Sequence, residues 1–505
     1  MSAGWLRLRP HVAGRSVVAH HRLLARCINS IASVDTGSRG AAHRPRRSLL
    51  TLAIESSCDD TCVAILEKCP STGAAKLRFN KKVTSDNREF QGVHPTVAVL
   101  SHTASLAPLI DEALGHLPEA AAEAEEKDSP GLQTRWQQLC SVRGSVRRKP
   151  DFVAVTRGPG MTSNLATGLN TAKGLATAWG VPLLGVNHMQ AHALTPRLVS
   201  ALARWPAAAA AAESGHQQKD NDEPAFPYLS LLVSGGHTLL VHSRSLCEHE
   251  ILASASNIAI GDMLDKCARL ILPASELSGT SNVMYGALLE RFVFPPLIGE
   301  DGSSKVDSYD YEYTPPARRA DEIVTFDSGL GWTLTPLLAG TTAMTYNFSG
   351  FSSQVQRIVE DRPDMPLDER RLLGRHAMRL AFEHLASRLL FALKKDSSSS
   401  EADLGTMKDV KTVVVAGGVA SNRYLMHVLR SMLPVRGFGH LEINAPPPAL
   451  CTDNAAMIAW TGMEMFEAGY RSQLDILAMR KWPVDPEAEG GGILGASGWV
   501  KDNSP

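Results

Sequence analysis

LLTLAIESSCDDTCVAIL (49–66) and YLSLLVSGGHTLLVHS (228–243) follow one plan: a short apolar strand, a small polar turn, a second apolar strand. Each apolar run is bounded by turn residues and is short enough to be a buried strand rather than a helix. The first opening is followed by a helix near 97–115, the strand DFVAVTRGPG (151–160), the helix SNLATGLNTAKGLATAWG (163–180) and the strand VPLLGVN (181–187). Behind the second come helices over 262–272 and 367–394, the strand KTVVVAGGV (411–419), a helix over 422–433, the strand LEINAP and a helix over 453–467. Strands that alternate with helices predict an α/β fold, here opened twice in one chain.

Paired openings of this kind resemble the actin, heat-shock ATPase and sugar-kinase superfold, in which two ribonuclease-H-like lobes turn toward a shared cleft. With 505 residues, 44% of them apolar and 20% charged, the chain has material for two or more domains. The expected division is an N-terminal lobe over 48–225, a C-terminal lobe over 226–485 with low-complexity insertions over 300–320 and 395–404, and a tail over 486–505. Residues 119–131 and 206–224 likewise have the composition of surface loops that cannot support a core. No stretch approaches the roughly 18 consecutive apolar residues of a membrane helix.

Residues 1–47 hold nine arginines, no lysine and one acid, Asp35. That Arg-rich, acid-poor pattern, with Leu6, Val17, Val18, Leu23 and Leu24 giving it an amphipathic character, predicts a mitochondrial presequence and a mature chain that starts near Ser48. Beyond it stand 42 basic and 51 acidic side chains, a net charge of about −9. A nucleic-acid partner must therefore be met by a local basic patch. Candidates are Arg143, Arg147, Arg148 and Lys149, and the cluster Arg370, Arg371, Arg375 and Arg379; Asp368 and Glu369 make a solvated face the simpler account of the second. The eight cysteines include no C-x-x-C pair, which fits a reduced compartment and not a cysteine zinc site.

In GVNHMQAHAL (185–194), His188 and His192 fall on one helix face if a helix begins there, close enough to share a cation. Spacing alone leaves two partly exposed helix histidines as the commoner outcome. Asp453, at the start of a helix in the other lobe, would supply a hard third ligand, although an acid at that position is equally suited to cap the helix. Three glycine turns follow strands, in VTRGPGMTS (155–163), LLVSGGHT (231–238) and VVAGGVASN (414–422). Glycine lets backbone amides approach a phosphate, so three such turns favour a nucleotide cleft, while any one of them is as well explained as a plain tight turn. In GDMLDK (261–266), Asp262 suits a first-turn charge and Asp265 is placed to reach a sugar hydroxyl from the cleft wall, a solvated acid being the bland alternative for both.

Together the segments AIESSCDDT, GVHPTVAVLSH, VTRGPGM, GVNHMQAHAL, LLVSGGHT, GDMLDKCAR, NFSGF, VVAGGVASNRYL, CTDNAAM, RKWPVDP and GGILGASG resemble, in order, the tRNA N6-adenosine threonylcarbamoyltransferases, in their mitochondrial branch. The resemblance implies that His188, His192 and Asp453 hold one divalent metal, zinc or iron. It implies that Leu232, Val233, Ser234, Gly235, Gly236, Asp265, Gly286 and Asn422 surround the adenylate of the donor, with Gly279 the alternative to Gly286. The implied reaction moves a threonylcarbamoyl group from threonylcarbamoyl-AMP, made by a separate synthase, to N6 of adenosine 37 in tRNAs that read codons beginning with A. A homodimer in the mitochondrial matrix is implied too. No residue is assigned as general base.

Three rivals remain at this stage. A metallopeptidase needs a carboxylate beside the first histidine to activate water, and Met189 stands there. A kinase or ATPase of the same superfold would hold magnesium through carboxylates and water rather than paired histidines. A non-enzymatic scaffold would leave the cleft residues without a role.

Overall fold

The computed structural model describes residues 47–90, 92–119, 139–214, 223–278, 285–295, 297–298, 304–305, 311–395 and 407–502. The presequence region, Gly279 and most of the low-complexity stretches lie outside them.

The first opening forms β1 (Leu49–Glu55) and β2 (Asp60–Lys68), followed by β3 (Ala75–Thr84), all antiparallel. The chain continues through α1 (Pro95–Leu114), β4 (Phe152–Gly158), α2 (Thr162–Trp179), β5 (Leu183–Asn187) and α3 (His188–Ser214). β1 pairs β4 in parallel and β4 pairs β5 in parallel, so the strand order is β3-β2-β1-β4-β5. The second opening repeats it. β6 (Tyr228–Val233), β7 (Thr238–Ser243) and β8 (His249–Ala255) are antiparallel. After α4 (Ile260–Ile271), α5 (Gly286–Val293), β9 (Thr345–Tyr346), α6 (Ser349–Glu360) and α7 (Leu367–Lys395), β10 (Thr412–Ala416) joins β6 in parallel. Past α8 (Arg423–Val435), β11 (Glu442–Asn444) pairs β10 in parallel, giving β9-β8-β7-β6-β10-β11. Two sheets with one strand order, each three antiparallel strands continued by two parallel ones, are the two ribonuclease-H-like lobes expected from the sequence.

The period-2 alternation of β1 explains the layers on the first sheet. Leu50, Leu52 and Ile54 pack with Leu106, Leu109, Leu169 and Ala172 of α1 and α2. Ala53 points the other way, level with Ala64 of β2 and Ala154 of β4, into a core shared with Met189 and Leu194 of α3 and with the C-terminal helix. That helix, α9 (Ala455–Glu467), lies so close that a Cβ on Gly462 would stand 2.7 Å from the Ala154 Cβ. Small residues on these strands admit two helices where larger side chains would hold them off.

Residues 455–501 therefore rejoin the first sheet rather than running on with the second: α9 packs on it, β12 (Tyr470–Ser472) pairs β5, and β13 (Trp499–Lys501) pairs β12. The expectation of plain loops also needs correcting. α3 runs to Ser214 through the start of the 206–224 stretch. At the end of the 300–320 stretch, Tyr311 and Tyr313 pack against the second-lobe core, and the Tyr313 hydroxyl donates to Glu383 at 3.2 Å. Aromatic residues supplied the apolar area that composition alone had discounted. No helix among the described residues is long and apolar enough to cross a membrane.

Candidate functional site

α3 begins where Asn187, at the end of β5, turns its side-chain oxygen to the N–H groups of Met189 and Gln190 (2.9 and 3.1 Å), the action of an N-cap. The next residue is His188, and His192 lies one turn on. Their rings meet edge to face with centroids 4.7 Å apart. Asp453 faces them: its Oδ1 is 3.1 Å from His192 Nε2 and 3.5 Å from His188 Nε2. One ligand atom from each residue lies within 4.8 Å of the others.

Asp453 does not cap α9. Asn454 does, accepting the Met457 N–H at 3.0 Å, which leaves the Asp453 carboxylate to the histidines. Nor is the acid carried by an opposing lobe, since α9 packs beside α3 on the first sheet. The trio is built on one face of one lobe.

Sequence reasoning left Glu55 without a role. Fully buried at the end of β1, it stands 3.1 Å from His188 Nδ1 and is held by the Ser57 N–H (2.6 Å) and the Thr156 hydroxyl. A carboxylate on Nδ1 fixes a proton there and turns Nε2 toward Asp453 and His192, as in metal sites where a second carboxylate orients the ligand. Glu55 was visible in AIESSCDDT, but nothing in one sequence ties position 55 to position 188. Burial disfavours the charged His188 ring, yet Asp453 and Glu55 more than offset it and hold its pKa up at about 9. Burial likewise raises Asp453, and the two imidazoles outweigh it and bring the carboxyl below its ordinary range. A pocket that attracts a proton this strongly also attracts a divalent cation, and two imidazole nitrogens with one carboxylate oxygen suit zinc or iron. His237, in the quoted turn SGGHT, was also missed. Burial first, then the charge of His188, with Asp453 opposing and His192 adding, lower its pKa to about 4, so it stands near the trio as a neutral ring.

Met189 is buried in the shared core at 5% exposure. Where a peptidase would hold its catalytic glutamate, the helix turns a packing residue inward, away from the ligand face.

The second lobe presents a wall of turns. Gly235 and Gly236 are exposed, and a Cβ on either would meet nothing within 4 Å. Beneath them the turn is fixed: Gly261 N–H donates to the Ser234 carbonyl (3.1 Å), and Thr238 Oγ1 accepts the Ile260 N–H (2.8 Å) at the start of α4. A Cβ on Gly261 would stand 2.7 Å from the Ser234 carbonyl oxygen. Leu232 and Val233 are buried in β6 and support the turn from behind. Ser234 Oγ takes the N–H groups of Gly236 and His237 (3.3 and 3.0 Å), so two amides expected to face a phosphate are satisfied within the turn.

Gly417 (φ +98°) backs onto Val233, whose carbonyl oxygen would lie 2.3 Å from an added Cβ. The third turn, in VTRGPG, is closed by protein: Cβ atoms on Gly158 and Gly160 would strike the Met479 carbonyl at 2.1 Å and that of Ser57 at 2.7 Å. Those two glycines serve packing rather than a ligand.

Asp265 and Gly286 come together. The Gly286 N–H donates to Asp265 Oδ1 at 2.8 Å, and burial pushes the carboxyl pKa up to about 6. One turn further along α5, Glu290 accepts the N–H groups of Arg423 and Tyr424 (2.8 and 3.1 Å) at the start of α8. Asn422 caps that helix through its side-chain oxygen (Leu425 N–H, 3.0 Å), and its amide nitrogen has no partner among the described residues. Gly279, the alternative to Gly286, lies outside the described residues.

Neither basic cluster is free. Arg148 pairs with Asp151 at 2.6 Å, Arg147 donates to the Leu117 carbonyl at 2.6 Å, Lys149 to that of Trp179 at 2.5 Å, and Arg143 pairs with Asp111. Arg370 caps α4 through the carbonyls of Leu270 and Ile271, Arg371 and Arg375 pair with Asp368 and Glu312 at 3.1 Å, and Arg379 lies over the Phe326 ring.

The sequence model of the family described as TsaD, tRNA N6-adenosine threonylcarbamoyltransferase, matches residues 115–219 and 208–460. A relative from Schizosaccharomyces pombe, "tRNA N6-adenosine threonylcarbamoyltransferase, mitochondrial", is 34% identical over 90% of this chain and 90% of its own. A tRNA N6-adenosine threonylcarbamoyltransferase from Rhizobium meliloti is 31% identical over 88% of this chain and 99% of its own. Among solved structures the similarity is remote: "Crystal structure of T.kodakarensis HypF" aligns with 13% identity and a TM-score of 0.36, covering 83% of this chain and 48% of that one. The match by sequence spans most of the chain, and the chain belongs to the tRNA N6-adenosine threonylcarbamoyltransferase family.

Proposed function

We propose that the protein transfers the threonylcarbamoyl group of threonylcarbamoyl-AMP to N6 of adenosine 37 in mitochondrial tRNAs that read codons beginning with A. A bond forms between N6 and the carbamoyl carbon, the bond from that carbon to the phosphate oxygen breaks, AMP leaves with the electron pair, and N6 gives up a proton. The observation that carries this reading is the trio His188, His192 and Asp453 beside an open glycine turn, with buried Met189 where a peptidase would need a glutamate.

The residues fit a resident divalent metal, zinc or iron, held by His188 Nε2, His192 Nε2 and an Asp453 oxygen. When bound, the metal supplies positive charge that holds the threonine oxygens or polarises the carbamoyl carbonyl. Glu55 keeps the His188 ring in the ligating orientation. On the second lobe Asp265 accepts the ribose hydroxyls, the Asn422 amide donates to the adenylate, and Gly235 and Gly236 leave room for its phosphate. A neutral exocyclic amine is a poor nucleophile, so holding both substrates in register supplies much of the rate.

The nine arginines and single acid of residues 1–47 support import into the mitochondrial matrix. The donor comes from a separate synthase, and the protein works as a homodimer. Purified protein given threonylcarbamoyl-AMP and unmodified tRNA should release AMP and form threonylcarbamoyladenosine, and a chelator should stop it; wild-type protein that forms no product would refute the transferase reading.

A further inference from the structure

RKWPVDP (480–486) takes no part in the chemistry described so far. Arg480 and Lys481 are exposed, and neither side chain makes a hydrogen bond or ion pair with a described residue. Among the described residues they are the one pair of consecutive basic side chains in that condition. Lys81 with Lys82, Arg147 with Arg148, Arg318 with Arg319, and Arg370 with Arg371 are all engaged, and so is Lys394 beside Lys395.

Exposure alone would describe any solvated lysine. What distinguishes this pair is where the backbone beneath it is held. The Met479 N–H donates to the Arg157 carbonyl at 2.8 Å, and the Gly160 N–H donates to the Arg480 carbonyl at 3.3 Å, which pins the segment onto the RGPG turn. Gly160 lies against Ser57, whose hydroxyl is 3.3 Å from His188 Nδ1. On the other side of the pair, Trp482 is 1% exposed, its ring N–H donates to the Gly492 carbonyl at 3.0 Å, and its own carbonyl accepts the Asn187 side-chain amide at 3.0 Å. Asn187 is the cap that precedes His188. Two short chains of contact thus tie the pair, from either side, to the start of the helix that carries the metal-type histidines.

None of the acids in the same stretch forms an ion pair with Arg480 or Lys481, the exposed Glu487 and Glu489 included. Both Asp485 oxygens accept backbone N–H groups, from Ile251 at 2.8 Å and Glu487 at 2.9 Å, and Asp475 acts on the charge of Arg157. The result is a double positive charge without an acid partner, on a backbone pinned to the turns behind His188, while the other consecutive basic pairs among the described residues have partners.

We propose that Arg480 and Lys481 hold phosphates of the tRNA strand that flanks the acceptor adenosine. The proposal rests on the transferase reading above. For N6 to reach His188 and His192, the base must leave its stack and its sugar-phosphate backbone must stay at the rim. Phosphates there need charge and not base-specific contacts, which is what two unpaired basic side chains provide.

The test is binding of unmodified tRNA to full-length wild type, Arg480→Glu/Lys481→Glu and Arg480→Gln/Lys481→Gln, between 50 and 200 mM KCl. Two lost phosphate contacts should flatten the slope of log affinity against log salt by about 1.5 and weaken low-salt binding on the order of tenfold. Metal content, melting temperature and adenosine binding should stay at wild-type values. Variants with wild-type affinity and salt slope overturn the proposal. If charge reversal lowers the melting temperature, the glutamine pair carries the test by the same two readouts. Failure of the transferase reading is seen elsewhere, as wild type that binds tRNA and makes no threonylcarbamoyladenosine.

Discussion

The turn between β1 and β2 and the turn between β6 and β7 occupy the same place in the same strand order, yet they are built in opposite ways. In the first, Ser56, Ser57, Asp59 and Asp60 are all buried, and almost every polar group is spent inward. Ser56 Oγ donates to the Asn164 carbonyl (2.9 Å), Asp60 accepts from Lys82 (2.8 Å), and the Cys58 carbonyl faces His102 Nε2 (2.9 Å) and the Asn164 amide (2.6 Å). In the second, Gly235 and Gly236 look onto open space. We read a division of labour in this repeated architecture: one turn is rigid and holds His188 through Glu55 and Ser57, and the other leaves open space that we assign to the substrate.

If that division is right, the largest losses come from the first side. His192→Ala or Asp453→Ala should abolish modification and empty the bound metal while leaving the melting temperature near wild type, checked by metal analysis and nucleoside analysis of the tRNA. Glu55→Gln keeps the shape but turns one acceptor oxygen into a donor nitrogen and removes the charge that fixes the His188 proton, and should cost about 10–100-fold in metal affinity. A Glu55→Gln protein with wild-type metal affinity would break the comparison at its firmer end.

Which parts of this were legible beforehand follows from the range of the interactions. The strand–turn–strand openings and the spacing of His188 and His192 could be read because each rests on a local pattern, while Asp453 joined them through the resemblance to a family. The return of α9 and β12 to the first sheet could not, because the pattern AAMIAWTGMEMF records only that a helix is apolar on most sides and not which sheet receives it. The same holds for Glu55, whose role is a contact across 133 residues of sequence, and for His237, which is tied to the trio through its electrostatics. Arg147, Arg148 and Lys149 looked like a nucleic-acid patch because charge is visible in sequence and its partners, mostly backbone carbonyls, are not. Arg148→Glu should accordingly lower stability while leaving the salt slope of tRNA binding unchanged.

On the open side, two glycine substitutions separate scaffold from substrate room. Gly417→Ala places a Cβ 2.3 Å from the Val233 carbonyl at a φ that only glycine adopts readily, and should destabilise the fold by about 1–3 kcal/mol in chemical denaturation. Gly235→Ala meets no protein atom, so it should leave stability intact and raise KM for threonylcarbamoyl-AMP. Equal losses of stability in both variants would mean that the second turn is as tightly packed as the first.

The smallest effect belongs to Asp265, and it has a sign that can be worked out. Burial raises its pKa from 3.8 to about 6, so the folded protein binds this proton more tightly than the unfolded chain does. Its contribution to stability is therefore most favourable below about pH 3.8, declines as pH rises toward about 6, and is level above that. Ligand binding runs the other way. Only the ionised carboxylate accepts both ribose hydroxyls, so affinity for adenosine, which does not itself titrate in this range, should fall by up to about tenfold from pH 7 to pH 5. Asp265→Asn should bind adenosine weakly and with no slope across that window. A wild-type profile as flat as that of the variant would remove Asp265 from the substrate wall and leave Gly286 and Asn422 to carry it.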